Sequence, residues 1–198
     1  MKRMLVAAIS VALAVQAAPA MAQGVGGYDG QQFVDAVRKQ DNDKAISLLE
    51  GRPNVVNSKN GKGDTALLVA IANRDETWTG YLLRLGADPN GAGRDGETPL
   101  IAASRLGFLQ AAEWLLGMGA KVNGDNRMGE TPLIVAVQNR QLPTVKLLLQ
   151  NGANPDKTDG AQGYSARDYA KRDTPSADIH RLIESTKPKA ATTMGPTR

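Results

Sequence analysis

The sequence predicts an all-α solenoid, a stack of short helix pairs joined by turns, and three observations carry that prediction. The first is a step of 33 residues kept by unrelated residue types: Thr65, Thr98 and Thr131; Gly86, Gly119 and Gly152; Asn57, Asn90 and Asn123, continued by Asp156. A period of this size marks a repeat array, in which each unit cannot cover its own apolar face and is stable only against its neighbours. The second is the set of Leu pairs Leu82–Leu83, Leu115–Leu116 and Leu148–Leu149, each followed closely by one of those glycines. A glycine just past the last apolar residue closes a helix in a left-handed conformation. The third is Thr-Pro at 98–99 and 131–132: the threonine hydroxyl caps a helix, and proline suits its first position because the missing N–H costs nothing there.

Three full units follow from this register: Asn60–Ala92, Gly93–Asp125 and Asn126–Thr158. Each opens on a turn ending in Gly-x-Thr, namely Gly63-Asp64-Thr65, Gly96-Glu97-Thr98 and Gly129-Glu130-Thr131. The glycine permits the positive φ of a tight finger-like turn. A short apolar helix comes next, such as Leu100-Ile101-Ala102-Ala103, and a second helix begins after a break, marked in the third unit by Pro143. Ala70, Ala103 and Ala136 keep the same step and let adjacent first helices approach closely. Helices of about two or three turns are too short to stand alone in water, so the interfaces between units hold the stack.

The ends of the chain read differently. Lys2 and Arg3 precede an apolar run from Met4 to Ala18, and Ala20-Met21-Ala22 places small residues before a cut after Ala22. That is the layout of a cleavable signal peptide over residues 1–22, with an apolar run too short for a comfortable membrane span. Residues 23–30, glycine-rich, are expected to be a flexible leader, and 187–198 a disordered tail without apolar periodicity. The repeat domain is expected to occupy 31–186. The chain has no cysteine, so an exported form gains nothing from disulfides and lacks the residue a lipoprotein anchor needs. After cleavage no apolar stretch is long enough to insert in a membrane. The pI near 9.4 misleads. Lys2, Arg3, Lys187, Lys189 and Arg198 all lie outside the body, and the 24 basic residues less these five leave 19 against 20 acidic ones. A nucleic-acid binder concentrates positive charge on its folded domain, so nucleic acid is not the expected partner.

The units resemble ankyrin repeats, whose pattern runs D-x-x-G-x-T-P-L-H-x-A-A and then L-L-x-x-G-A-D-x-N. Here it stands as GRDGETPLIAAS with LLGMGAKVN, and as NRMGETPLIVAV with LLLQNGANPD. Residues 31–59 look like a degenerate first capping unit and 159–186 like a closing one, offset by one residue, with Gly163-Tyr164-Ser165 in place of Gly-x-Thr. End units degenerate because each shows one polar face to water. One departure stands out. Leu68, Ile101 and Ile134 occupy the place of the family's histidine, whose imidazole ties neighbouring turns, so apolar contact is expected there instead of the usual polar network.

Catalytic chemistry finds little footing. Gly91-Ala92-Gly93-Arg94-Asp95-Gly96 matches G-x-G-x-x-G, but it joins two repeat units rather than a strand and a helix of a βαβ unit, so no dinucleotide cofactor is expected. Asn60-Gly61-Lys62-Gly63-Asp64-Thr65 lacks the spacing of a phosphate loop. With one histidine and no cysteine, no transition-metal site is expected and thiol or histidine catalysis is disfavoured. Trp78 and Trp114 fall in second helices, where they read as core residues or, alternatively, as aromatic anchors for a partner.

What the resemblance implies is protein binding, without cofactor or metal, by a monomeric scaffold. In such arrays the finger tips and the exposed face of the first helices line a concave groove. Carried over, the fingers contribute Lys62, Asp64, Arg94, Asp95, Glu97, Arg127, Met128, Glu130, Gln162 and Tyr164, and the first helices Asn73, Arg105, Gln138 and Asn139. A basic row of Lys62, Arg94 and Arg127 is expected beside an acidic row of Asp64, Glu97 and Glu130. Alternating charge on loops is also what a merely solvated surface shows. With the signal peptide, the expectation is a periplasmic binding protein of a bacterium. The other readings are an inhibitor or immunity factor for one enzyme, and a secreted effector acting on host proteins.

Overall fold

A computed structural model describes residues 26–172 and 177–186. The expected signal peptide at 1–22 and the tail at 187–198 lie outside the described residues. Among the described residues are ten α-helices: α1 Gly26–Lys39, α2 Asn42–Gly51, α3 Ala66–Ala72, α4 Glu76–Arg84, α5 Pro99–Leu106, α6 Leu109–Gly117, α7 Pro132–Gln138, α8 Leu142–Gln150, α9 Ala166–Arg172 and α10 Ala177–Ser185. The odd-numbered helices pack in succession as one layer, and α4, α6, α8 and α10 form the second. Helix α2 packs on α1 and on a 3-10 turn at Pro53–Asn57.

Each repeat is built as its sequence dictates. Thr65, Thr98 and Thr131 cap α3, α5 and α7, accepting hydrogen bonds from the N–H groups of Leu68, Ile101 and Ile134 at 3.3, 3.2 and 3.2 Å. Pro99 and Pro132 begin their helices. Gly86, Gly119 and Gly152 have φ of 85°, 87° and 83°. At each, the glycine N–H and the next residue's N–H return to the last turn, as in Gly86 to the Leu83 carbonyl and Ala87 to the Leu82 carbonyl, which satisfies carbonyls otherwise orphaned at a helix end. Ala70, Ala103 and Ala136 are fully buried between neighbouring first-layer helices.

The leader boundary needs correction. Helix α1 starts at Gly26, and Gly30 is buried. A Cβ on Gly30 would stand 2.4 Å from the Ser58 Cβ, so a glycine there lets α1 lie against the loop before the first finger. The glycines of 26–30 thus belong to the first capping unit.

The substitution of Leu68, Ile101 and Ile134 for histidine has the expected result, since all three are buried among apolar neighbours. Polar ties between units are made elsewhere, by the 33-spaced asparagines. The Asn57 amide donates to the Gly86 carbonyl at 3.1 Å and accepts from the Asp88 N–H at 2.8 Å. Asn90 does the same with Gly119 and Lys121, and Asn123 with Gly152 and Asn154. Each asparagine therefore clamps the helix-terminating glycine turn of the next unit. Asn90→Ala removes two inter-unit bonds in the middle of the stack, with an expected loss of about 1–2 kcal/mol. An unchanged urea midpoint in that variant would show that the clamp contributes no net stability.

Candidate protein-binding face

The finger turns are organised by a further 33-residue series, Asn60, Gly93, Asn126 and Asp159. The Asn60 carboxamide oxygen accepts from the N–H groups of Lys62 and Asp64 at 2.9 and 3.0 Å, while the Asn60 N–H donates to the Asp64 carbonyl. Asn126 repeats this with Met128 and Glu130. Gly93 has no side chain to do so, and a Cβ there would come 2.5 Å from Leu68 Cδ1. Its finger instead takes a 3-10 turn with Asp95 at φ 56°. Asp159 spans one residue more, its N–H donating to the Tyr164 carbonyl, which accounts for the one-residue offset of the closing unit. The hairpin character of the fingers reduces to such single closures and to isolated bridges at Lys59–Thr65 and Thr158–Ser165.

Adjacent fingers are joined through main chain. The Arg127 N–H donates to the Asp95 carbonyl at 2.9 Å, and the Gly160 N–H to the Met128 carbonyl at 2.7 Å. The tips of the last three fingers form a hydrogen-bonded line that holds its side chains in fixed register.

On that line the two charge rows behave differently. The acids turn inward: Asp64 pairs with Arg38 at 2.9 Å, Glu97 with Arg105 at 3.3 Å, and Glu130 accepts from the Asn126 amide at 2.8 Å. The bases face out. Lys62 is exposed, and the side chains of Arg94 and Arg127 are 76% and 78% exposed. Both reach Asp95 only loosely, at 3.6 and 4.0 Å, and pairs so exposed contribute at most about 1 kcal/mol. What the finger tips present to solvent is the basic row.

Five of the sequence-derived residues, Asp64, Asn73, Arg94, Asp95 and Glu97, surround one groove of about 460 Å³ floored by Leu68, Val69 and Ala72. Arg38 of α1 completes it. Nothing in the sequence pointed to Arg38, because its unit is too degenerate to align a position against the others. Gln138 lines a smaller hollow of about 290 Å³ with Tyr169 and Arg172. Tyr164 joins that end: its ring meets Tyr169 edge-on at 5.6 Å, and Arg172 both stacks over it and donates to its hydroxyl at 2.7 Å. Met128, 53% exposed, and Gln162 stand on the tips. Asn139 is committed elsewhere, capping α7 by donating to the Val135 carbonyl at 2.8 Å, whereas Asn73, at the end of α3, stays on the groove with its amide reaching the Arg38 carbonyl at 3.4 Å.

A family model described as ankyrin repeats, three copies, matches residues 33–126 and again 81–159, together more than half of the chain. The chain belongs to the ankyrin repeat family. No curated protein matches it. Ankyrin repeat domains are in general non-catalytic scaffolds that mediate protein–protein interaction, and this all-α ankyrin stack has the architecture of such a scaffold.

The closing ankyrin unit carries an acid whose titration is shifted by its surroundings. Burial alone would raise the Asp159 carboxyl, but the Tyr169 hydroxyl at 2.6 Å and the N–H groups of Gln162, Gly163 and Tyr164 outweigh it and hold its pKa below the usual carboxylate value. Burial and the same bond raise the Tyr169 phenol. Because the folded pKa is depressed, the stability Asp159 contributes is full above about pH 4 and falls as pH drops through the folded value. Asp159→Asn is expected to cost about 1–3 kcal/mol at pH 7. The gap in urea midpoint between wild type and variant should close progressively below pH 4; a gap that stays constant down to pH 2 would rule out an ionised clamp.

Proposed function

We propose that this ankyrin array is a non-catalytic binding scaffold of the bacterial cell envelope that recognises a partner protein through the concave groove of fingers and first helices. The observation that carries the reading is the finger line itself. Its framework residues are consumed in holding the turns, whereas Arg94, Arg127 and Met128 are exposed on a main-chain-linked row beside a 460 Å³ groove, with Lys62 exposed on the preceding finger. Pre-organised side chains lose little freedom on binding. With Asp95 the one exposed acid among these tips, the complementary partner surface is acidic. Placement in the envelope rests on the Lys2-Arg3 head, the apolar run and Ala20-Met21-Ala22. No helix of the described residues is long and apolar enough to cross a membrane.

Intact mass of the protein recovered from the envelope fraction should correspond to a chain beginning at Gln23. Recovery of a species retaining Met1–Ala22, or recovery from the cytoplasm alone, would remove the envelope from the proposal. Capture on the mature protein from a periplasmic extract should retain a partner that is lost when Arg127 and Met128 are replaced by alanine. Equal retention by both forms would move the interface off the fingers.

A further inference from the structure

On the opposite layer of the stack, a cavity of about 700 Å³ opens between α4 and α6. Glycine lies on both walls. At Gly80 the Trp114 ring packs so closely that a Cβ would lie 3.3 Å from its six-membered ring, whereas a Cβ on Gly117 would meet no atom within 4 Å. The two tryptophans of the chain divide here. Trp78 is buried, packs edge-on against Phe33 and Tyr81, and donates its N–H to Asn42 at 2.7 Å. Trp114 is only partly buried, lines the cavity, and its indole N–H has no hydrogen-bond partner among the described residues. Met118, 52% exposed, and Leu83 extend the apolar wall.

The charges of the cavity are also uncommitted. Glu76 and Arg84 make no ion pair among the described residues, and Glu113 accepts only a long 3.3 Å bond from Gln110. Glu76 opens α4 and Arg84 ends it, and Glu113 lies mid-way along α6. The groove is therefore acidic from one end to its middle and basic at the other end, with an aromatic and apolar wall between.

We propose that this groove is a second docking site, separate from the finger face, and that it receives a partner segment in which an apolar side chain adjoins a lysine or arginine. The apolar side chain fills the open space beside Gly117 against Leu83 and Met118. The cation lies between the Glu76 and Glu113 carboxylates beside the Trp114 ring, where charge attraction and the ring quadrupole act together. The free indole N–H supplies a donor for a backbone carbonyl of the segment. Arg84 at the far end gives the segment one direction. A volume of about 700 Å³ is within the roughly 300–1,000 Å³ range of sites that enclose such groups.

The test uses fluorescein-labelled synthetic peptides and the mature chain, read by anisotropy at physiological salt: a Lys-Leu peptide, its Glu-Leu counterpart and a Lys-Gly control. The Lys-Leu peptide should bind and the other two should not. Gly117→Leu fills the mouth of the groove at an open, helical position, so it should leave thermal unfolding unimpaired and weaken the Lys-Leu peptide at least about tenfold. Glu76→Gln with Glu113→Gln should weaken it similarly, and Arg127→Ala with Met128→Ala should not affect it. The proposal is overturned by no binding of the Lys-Leu peptide, by equal binding of the Glu-Leu peptide, or by full affinity in Gly117→Leu. Loss in the Arg127/Met128 variant instead would assign the peptide to the finger face.

Discussion

Gly129→Ala should destabilise the array by about 2–5 kcal/mol, well beyond the cost of the same exchange at Gly152. The two glycines share a left-handed backbone, with φ of 76° and 83°, which costs an alanine about 1–2 kcal/mol at either place. They differ in what a new Cβ would meet. At Gly152 no atom lies within 4 Å, so the conformational cost stands alone. At Gly129 the Cβ would stand 2.4 Å from the Gly160 nitrogen and 3.1 Å from the Asp159 carbonyl carbon. Those are backbone atoms that cannot turn aside, and the Gly160-to-Met128 hydrogen bond is made at that point. Overpacking of this kind adds about 1–3 kcal/mol. Urea denaturation of the two variants decides the matter: equal losses would mean that the last two fingers do not meet through their main chains. Gly86→Val and Gly152→Val, both at open glycines, should each lose about 1–2 kcal/mol and no more.

Arg127→Ala combined with Met128→Ala should weaken partner binding at least about tenfold, or roughly 1.4 kcal/mol, with unchanged thermal stability. Both side chains stand on the finger line, exposed, and neither contributes its side chain to the turn: the structural bonds there belong to the main chain and to Asn126. Truncation therefore removes contact surface and one loosely paired positive charge without opening a cavity. The control is Lys146→Ala with Gln150→Ala, two exposed residues of α8 in the other layer. Affinity should survive that pair. Weakening by the control pair with the finger pair silent would falsify the groove as the interface and leave the fold untouched.

Much of this was legible in the chain because one period repeats. Caps, helix-closing glycines and the Ala contacts recur every 33 residues, and a role read in one unit transfers to the next. The closing unit kept its local grammar while losing the period. Ser165 caps α9 by accepting from the Asp168 N–H at 3.2 Å, and Asp168 returns the bond to the Ser165 N–H at 3.0 Å. Ser-Ala-Arg-Asp carries that box in plain sequence. The first unit gave less, since α1 runs back through glycines whose composition alone suggests a loose segment.

By itself, then, the sequence determined the stack, its register and the positions that form the finger tips and first helices, because local capping and apolar spacing act within a single unit. Which of those positions are available was decided only by the tertiary structure. Asp64 and Glu97 stand level with the exposed bases in the alignment, yet each finds a guanidinium from another element, Arg38 on α1 and Arg105 on α5, and turns inward. Trp78 and Trp114 read alike in their helices, but one meets Phe33 and Asn42 from the first unit, while the other lies against Gly80 of the preceding unit and borders an open groove. Apart from the Glu97–Arg105 pair, which forms within one unit, such outcomes depend on which side chain a neighbouring unit brings across, and contacts between units are not written in the period of either one.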